Sequence, residues 1–229
     1  MSEQGTKQLS ETNAGNIQKC VITSNSGKAV DVGGGLVDFR YYENVLSNSI
    51  TATAVIIDTG YTSDGQQAKA SKGILDDLPI RGGERFDIKF TDSGNPQSSL
   101  ELTFYVNRVL AADPGTVKEN FVLHLTSVEY ISNELTRVVK RYQGKISDNV
   151  KSILSDVLKS SSEVTVDDTA IDYNFFGNDR KPFYVCTWLA SKSTSQSAGT
   201  GGSGSVGGSA GYLFYQNQNG FNFRSLDKL

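Results

Sequence analysis

The chain has 229 residues and a formal net charge of −3, with 22 Lys and Arg against 25 Asp and Glu. This length suits one large domain or two small ones with a self-supporting core, and the near-balanced charge excludes a generally basic surface for nucleic acid. Its only cysteines, Cys20 and Cys186, are too few and too far apart for a disulfide framework, which favours a reducing compartment.

The first residues are polar. Residues 1–16 show no hydrophobic periodicity, and we predict a flexible arm there. Nothing in this stretch has the apolar centre of a secretory leader. Nor does any part of the chain approach the roughly 20 consecutive apolar residues that cross a bilayer, so we expect no membrane partner.

Short apolar runs separated by turn residues fill residues 17–135. Two of them, Lys19–Ser24 and Lys28–Val32, flank Asn25-Ser26-Gly27 and predict a hairpin. Gly33–Gly35 then predicts a bend or bulge. Further strands are expected at Leu36–Tyr42, Ser49–Asp58, Glu84–Phe90, Leu100–Asp113 and Val117–Ser127. Strands at this spacing predict an all-β domain over 17–135, either a barrel or a sandwich.

The pattern changes in residues 136–229, where we predict a small α+β domain, so that the chain is mainly β overall. Leu135–Tyr142 fits either a short helix or a strand. The remaining predicted elements are a helix over Ser147–Lys159 capped by Ser147, a strand over Glu163–Val166, a helix over Pro182–Lys192, a flexible Gly/Ser-rich loop over 193–210, and a hairpin over 211–229.

The terminal hairpin poses a question about its partner. Tyr212–Tyr215 and Phe221–Phe223 are short aromatic runs on either side of a polar segment that ends in Asn219-Gly220, a pair typical of tight turns. An isolated hairpin is marginally stable in water. We therefore expect this one to pair with an upstream strand, with residues beyond Leu229, or with another subunit.

No constellation of residues predicts catalysis. Gly207–Gly211 fits the G-x-S-x-G pattern, but it lies in a Gly/Ser run and the only histidine, His124, is far upstream. The carboxylate pairs Asp76-Asp77 and Asp167-Asp168 are adjacent in sequence, so their side chains point apart in a strand. We predict a protein that is not an enzyme, with no catalytic residue, no cofactor and no metal site.

Two groups of residues are candidates for a subunit or partner interface. Tyrosine and arginine are enriched at interfaces, and the first group is Phe39, Arg40, Tyr41 and Tyr42. The second is the basic group Arg137, Lys140 and Arg141, which suits an acidic partner surface. Ordinary core and rim packing competes for the first group, and a solvated face competes for the second.

The order of these elements resembles the central baseplate hub proteins of contractile-tailed bacteriophages, relatives of the T-even hub protein and of the N-terminal hub region of type VI secretion VgrG proteins. The segments that carry the resemblance are Leu36–Asp58, Gly144–Leu158 and Pro182–Ser225. The last of them joins a Pro-Phe-started helix, which contains Trp188-Leu189, to the Gly-Tyr-Leu-Phe-Tyr…Asn-Gly-Phe-Asn-Phe hairpin.

This resemblance implies a tube-type barrel over 17–135 and a homotrimer in the virion, assembled in the host cytoplasm. The implied partners are further copies of the chain, the tail tube protein, the central spike protein and other baseplate proteins. DNA would pass through the lumen without specific binding. Hub proteins carry two such barrels, and the terminal hairpin would then begin a second one. The alternatives are a tail-tube or tube-terminator ring protein and, from another class, a cell-wall-binding or lytic tail module.

Overall fold

The computed structural model describes residues 16–58, 78, 80–92, 95–114, 119–195 and 211–229. The predicted arm over 1–16, apart from Asn16, and most of the Gly/Ser-rich loop lie outside these residues. The chain forms two compact units. The first contains Met1–Asp38 and Ala54–Leu123, and the second contains Phe39–Thr53 and His124–Leu229.

Seven strands form the larger sheet. They are β1 (Asn16–Thr23), β2 (Ala29–Asp31), β3 (Leu36–Tyr42), β4 (Thr51–Asp58), β5 (Arg85–Asp92), β6 (Asn95–Pro114) and β7 (Glu119–Thr126). Their order is β2-β1-β5-β6-β7-β4-β3. Each strand overlaps a predicted run, and the mainly β fold class is confirmed. Closure of this sheet into a barrel stays a prediction.

The core of the first unit follows from the alternation of side chains along these strands. Phe86 on β5 lies opposite Phe104 on β6, and Ile88 lies opposite Cys20 on β1. All four side chains are almost completely buried. Fully burying a side chain of this size contributes about 1.5–3 kcal/mol, so the paired apolar positions fix the register of β1, β5 and β6.

In its described residues, the second unit contains three α-helices, a three-stranded sheet and a two-stranded ribbon. Its elements are α1 (Val128–Leu135), β8 (Arg141–Tyr142), α2 (Ile146–Ser152), β9 (Glu163–Val166), β10 (Phe175–Phe176), α3 (Pro182–Ala190), β11 (Tyr212–Asn217) and β12 (Gly220–Ser225). A wider π-helical turn, Ile153–Val157, continues α2. The sheet has the order β11-β12-β9, and β8 pairs with β10 in the ribbon.

An upstream strand is the partner of the terminal hairpin. β12 pairs in parallel with β9, and Phe221 and Phe223 lie opposite Val164 and Val166. Parallel strands need a long crossover, and the intervening chain contains α3. Gly220 begins the pairing with a φ of +132°, so close to β9 that a Cβ there would lie 2.1 Å from the Glu163 carbonyl oxygen. Of the three partners that the sequence left open, the structure contains the first.

Aromatic side chains hold α3 against the hairpin. Phe183 lies on α3, and its ring centroid is 5.8 Å from that of Phe214 on β11 and 5.5 Å from that of Phe221 on β12. All three residues are buried. Edge-to-face pairs of this kind contribute about 0.5–1.5 kcal/mol beyond the area they bury. Pro182 occupies the first turn of α3, as predicted, where its missing N–H costs no hydrogen bond.

Sequence patterns did not indicate α1, which is short and follows β7 after one residue.

Two local predictions were wrong. The first is the cap of α2. Ser147 lies inside the helix, and its backbone N–H donates to Thr169 Oγ1 at 3.1 Å. The second concerns the start of the flexible loop: Ser193 and Ser195 are buried, and Ser193 Oγ donates to the Leu189 carbonyl at 2.9 Å.

The compact units divide the chain differently from the predicted ranges 17–135 and 136–229. Residues 39–53 belong with the second unit because Ile50 N–H donates to Gln216 Oε1 at 3.2 Å. The Gln216 backbone N–H also donates to the Ser47 carbonyl at 3.3 Å. The division into domains at 17–135 and 136–229 stays a prediction.

Candidate functional site

In the described part of the chain, the residue types that catalyse reactions or bind metals either lie far apart or have structural roles. No three His, Cys, Asp or Glu side chains there are grouped to hold a metal ion. Asp167 accepts from Arg224 Nε at 3.1 Å and from the Ser225 N–H at 3.0 Å, which anchors β12. His124 is half-buried on β7. The pair at 76–77 and most of the G-x-S-x-G match, 207–210, lie outside the described residues. No helix among those that are described is long and apolar enough to cross a membrane.

Both cysteines are buried free thiols. Cys20 lies in the core of the first unit, and Cys186 lies in that of the second. Burial raises the pKa of Cys20 to about 12 and also raises the pKa of Cys186. A neutral, inaccessible thiol is a poor nucleophile, so both residues act as small core side chains.

The structure divides the first interface candidate into an inward and an outward part. Tyr41 is half-buried, and its hydroxyl donates to Glu43, which also accepts the backbone N–H of Gln218 in the β11–β12 turn. Burial, followed by this hydrogen bond, raises the pKa of Tyr41. Phe39 is also half-buried, whereas Arg40 is exposed and Tyr42 is 48% exposed. Arg40 and Tyr42 are therefore the members of this group that are exposed to solvent.

The basic candidates surround a buried residue, Val138. Its N–H donates to the Arg180 carbonyl at 2.8 Å, and its own carbonyl accepts the Asp179 N–H at 3.1 Å. Arg137 immediately precedes Val138 and donates to two backbone carbonyls of its own segment. Arg141 lies on β8, directly opposite Phe176 on β10. In the part of the chain that the structure describes, no hydrogen bond or ion pair joins these arginines to the candidates on β3.

A cavity of about 220 Å³ lies beside this basic group in the second unit. We call it the aromatic pocket. Its lining comes from β10, the following turn and α3, and consists of Phe175, Phe176, Gly177, Asn178, Arg180, Tyr184, Val185 and Trp188. Phe176 is 55% exposed and Tyr184 is 56% exposed, so large aromatic surfaces face solvent at this point.

A tight turn fixes one wall of the aromatic pocket. Asn178 and Asp179 have φ values of 51° and 57°, and the Arg180 N–H donates to the Gly177 carbonyl at 3.1 Å. Asn and Asp tolerate this left-handed conformation better than most residues. A Cβ at Gly177 would lie 2.2 Å from the Val138 carbonyl oxygen, so only glycine allows this approach. The turn is thereby held against the segment that carries the basic candidates.

Stacked rings form the floor of the aromatic pocket. The rings of Tyr142 and Phe175 are nearly parallel with centroids 5.0 Å apart, and Trp188 meets Phe175 edge-on at 5.7 Å. Burial raises the pKa of Tyr142 to about 12. At the surface, Arg180 Cζ lies 5.5 Å from the centroid of the Tyr184 ring, a cation–π contact. The pocket therefore combines an aromatic floor with a polar wall, formed by Gly177 and Asn178, and a cationic edge at Arg180.

A separate buried polar network connects distant segments of the second unit. Gln216 Oε1 accepts from Ser127 Oγ at 2.9 Å, and Gln216 Nε2 donates to Glu129 Oε2 at 3.2 Å. The other oxygen of Glu129 accepts the hydroxyls of Ser160 and Ser162. This network satisfies a buried carboxylate without a cation and ties β11 to α1, a structural role.

Sequence reasoning found Arg137, Lys140 and Arg141 but missed the aromatic pocket beside them. The two strands of the ribbon contain two residues each, too few for a periodic signal. The available signal was the run Phe175-Phe176-Gly177-Asn178-Asp179, in which turn residues follow two aromatic residues.

Comparisons with known proteins give a likeness of fold. No family model and no curated protein matches the chain. Two solved structures are similar over 90% of it: the 43 kDa tail protein of prophage MuSo2 from Shewanella oneidensis, with a TM-score of 0.54 and 11% identity, and the tail protein from Neisseria meningitidis MC58, with a TM-score of 0.50 and 8% identity. The chain covers 54% and 49% of those proteins, about half their length. At this identity the likeness concerns the fold, which is that of two tail proteins.

Proposed function

We propose that the chain is a structural component of a phage tail, and specifically of the baseplate hub, where a trimeric ring of it joins the tail tube to the central spike. The observation that carries the proposal is the fold likeness to two tail proteins over 90% of the chain. The coarser statement, a tail structural role, rests on that likeness directly. The hub assignment rests in addition on the order of the secondary-structure elements.

The order of elements supports the hub over a simple tube subunit. The three segments that resemble hub proteins correspond to β3 and β4, to α2 with its π-helical turn, and to α3 with the β11–β12 hairpin. A ring subunit of the tube needs only the larger sheet, whereas this chain carries the α+β elements of the second unit as well. The partners that we propose are further copies of the chain, the tail tube protein, the spike protein and other baseplate proteins.

The larger sheet suits assembly into a ring. Of the described strands, β2 and β3 end its order, and sheet edges are where a strand of another subunit can pair. Arg40 and Tyr42 expose, on β3, the residue types that interfaces favour. Such a role requires no catalytic group.

Antibody labelling of tail particles tests the proposal. Particles from the strain that encodes the chain would be labelled with an antibody against it and imaged by electron microscopy. We expect label at the tail tip only. Label along the whole tail would indicate a tube protein, label at the head-proximal end would indicate a terminator, and unlabelled particles would refute a tail role. A zymogram in which the purified chain lyses cell wall would instead support the lytic alternative.

A further inference from the structure

We infer that the aromatic pocket, together with Arg141 and Arg180, which we call the arginine rim, is a docking site for one large apolar side chain on an acidic segment of a partner protein. This inference rests on the geometry of the second unit and does not depend on the tail role. It names the chemistry of the contact: a side chain such as Phe or Leu enters the pocket, and neighbouring carboxylates meet the rim.

The volume of the pocket suits one side chain and lies below the usual range for a small-molecule ligand. Sites for cofactors and drug-sized ligands occupy about 300–1,000 Å³. The aromatic pocket has about 220 Å³, which suits a single anchoring residue. Interfaces draw much of their affinity from anchors of this kind, which fill desolvated pockets near the centre of the contact.

The pocket is ready to bind without rearrangement. Phe175 is stacked on Tyr142 and met by Trp188, so the floor is closely packed. The opposite wall is the 177–180 turn, which is bonded to Val138. A preformed recess avoids the cost of ordering side chains on binding, so even a short segment can gain affinity there.

Charge around the pocket selects an acidic partner. Two cations close to it have partners in the chain, because Lys140 lies 3.9 Å from Asp156 and Lys181 pairs with Glu134. The two arginines of the rim lack an ion pair: among the described residues, no carboxylate lies within ion-pair distance of Arg141 or Arg180. The whole chain has a net charge of −3, so this local excess of positive charge runs against its overall balance.

Exposed apolar residues extend the surface beyond the cavity. Val139 follows the buried Val138 and is 61% exposed, and Phe176 and Tyr184 are more than half exposed. Guanidinium groups pair with carboxylates in a planar, bidentate fashion and also stack on aromatic rings. An extended acidic segment with one apolar residue could therefore pair its carboxylates with the arginine rim while the apolar side chain packs on the aromatic floor.

Trp188 supplies a label-free assay because it is the only tryptophan of the chain and lines the pocket. The probes are acetylated, amidated hexapeptides with a central Phe or Leu flanked by Glu and Asp. Matched peptides replace the central residue by Gly, or the acids by Gln. The full chain is titrated with each peptide while the emission of Trp188 is recorded. We expect saturable shifts with the acidic Phe and Leu peptides, weakening as salt is added.

Variants locate the binding. Arg180→Ala and Phe176→Ser change exposed side chains, and circular dichroism checks that both fold. Each should weaken binding about tenfold, the effect of losing an anchor contact. Lys151→Ala removes an exposed cation from α2, away from the pocket lining, and should leave affinity unchanged.

Three results would overturn the inference. One is the absence of any Trp188 response to the acidic peptides at millimolar concentration. Another is equal binding by the folded Arg180→Ala and Phe176→Ser variants and the unaltered chain. The third is a Trp188 response to the neutral oligosaccharide chitotriose but not to the peptides, which would assign a carbohydrate site instead. None of these results changes where antibody labels the tail, so failure of this inference and failure of the proposed function are separable.

Discussion

Replacing Gly220 by alanine should be among the most damaging single changes in the second unit. The new Cβ would lie 2.1 Å from the Glu163 carbonyl oxygen, so β9 would have to retreat by about 1 Å to reach even a close contact. The φ of +132° adds a conformational cost of about 1–3 kcal/mol. Each hydrogen bond weakened between β9 and β12 costs about 1 kcal/mol more. We expect a loss of about 3 kcal/mol or more in the free energy of unfolding.

Two other glycines of the same unit separate the effect of the steric clash from that of the positive φ. Gly144 has a φ of +86°, but no atom lies within 4 Å of the position that a Cβ would occupy there, so Gly144→Ala carries the conformational cost alone, about 1 kcal/mol. Gly177 lacks the positive φ but would place a Cβ 2.2 Å from the Val138 carbonyl oxygen, so Gly177→Ala carries the clash alone. The expected order of damage is Gly220, then Gly177, then Gly144.

Urea unfolding monitored by Trp188 emission measures these losses, because the tryptophan lies in the same unit as all three glycines. The shift of the transition midpoint at an unchanged slope gives the loss in free energy of unfolding. If Gly220→Ala cost no more than Gly144→Ala, the close approach of β12 to β9 would be wrong, and with it the partner of the terminal hairpin.

Three further predictions concern buried polar and titratable groups. Gln216→Leu should lower the free energy of unfolding by about 3 kcal/mol, because it leaves the buried Glu129 carboxylate with one donor fewer. A loss of less than about 1 kcal/mol in urea unfolding would contradict a structural role for this network. The free energy of unfolding should fall as pH rises from about 9 to 12. Burial raises the pKa values of Tyr142 and Cys186 in the folded chain, so these groups ionise first in the unfolded chain and stabilise it. A free energy of unfolding that does not change over this pH range, or that falls equally steeply in Cys186→Ala, would refute this. Glu84→Ala should cost about 2 kcal/mol by removing the buried carboxylate that accepts two backbone N–H groups at 2.8 Å, and unaltered thermal stability would contradict it.

Local elements of the fold were predictable where the sequence carries a strong short-range signal. The β1–β2 hairpin follows from alternation around Asn25-Ser26-Gly27, α3 from Pro182 and its apolar face, and β9 from a β-branched run. The pairing of β9 with β12 was not predictable, since about 50 residues separate the two strands and parallel pairing leaves no turn signal.

The candidate site was only half predictable for a related reason. A cluster of charges such as Arg137, Lys140 and Arg141 is visible in sequence, but a pocket arises from residues that tertiary contacts bring together. Val138 joins the basic segment to the 177–180 turn through backbone hydrogen bonds, which no side-chain pattern announces. The sequence also did not indicate that Tyr41 is half-buried and that its hydroxyl donates to Glu43 of the same chain.

The measurement that bears most directly on the hub proposal is the mass of the assembled protein in solution. Light scattering coupled to size exclusion would be applied to the purified chain, alone and mixed with the central spike protein of the same tail. The hub proposal predicts a trimer, formed by the chain itself or on the spike. A hexameric ring would favour a tube or terminator protein, and a monomer under both conditions would contradict the proposal.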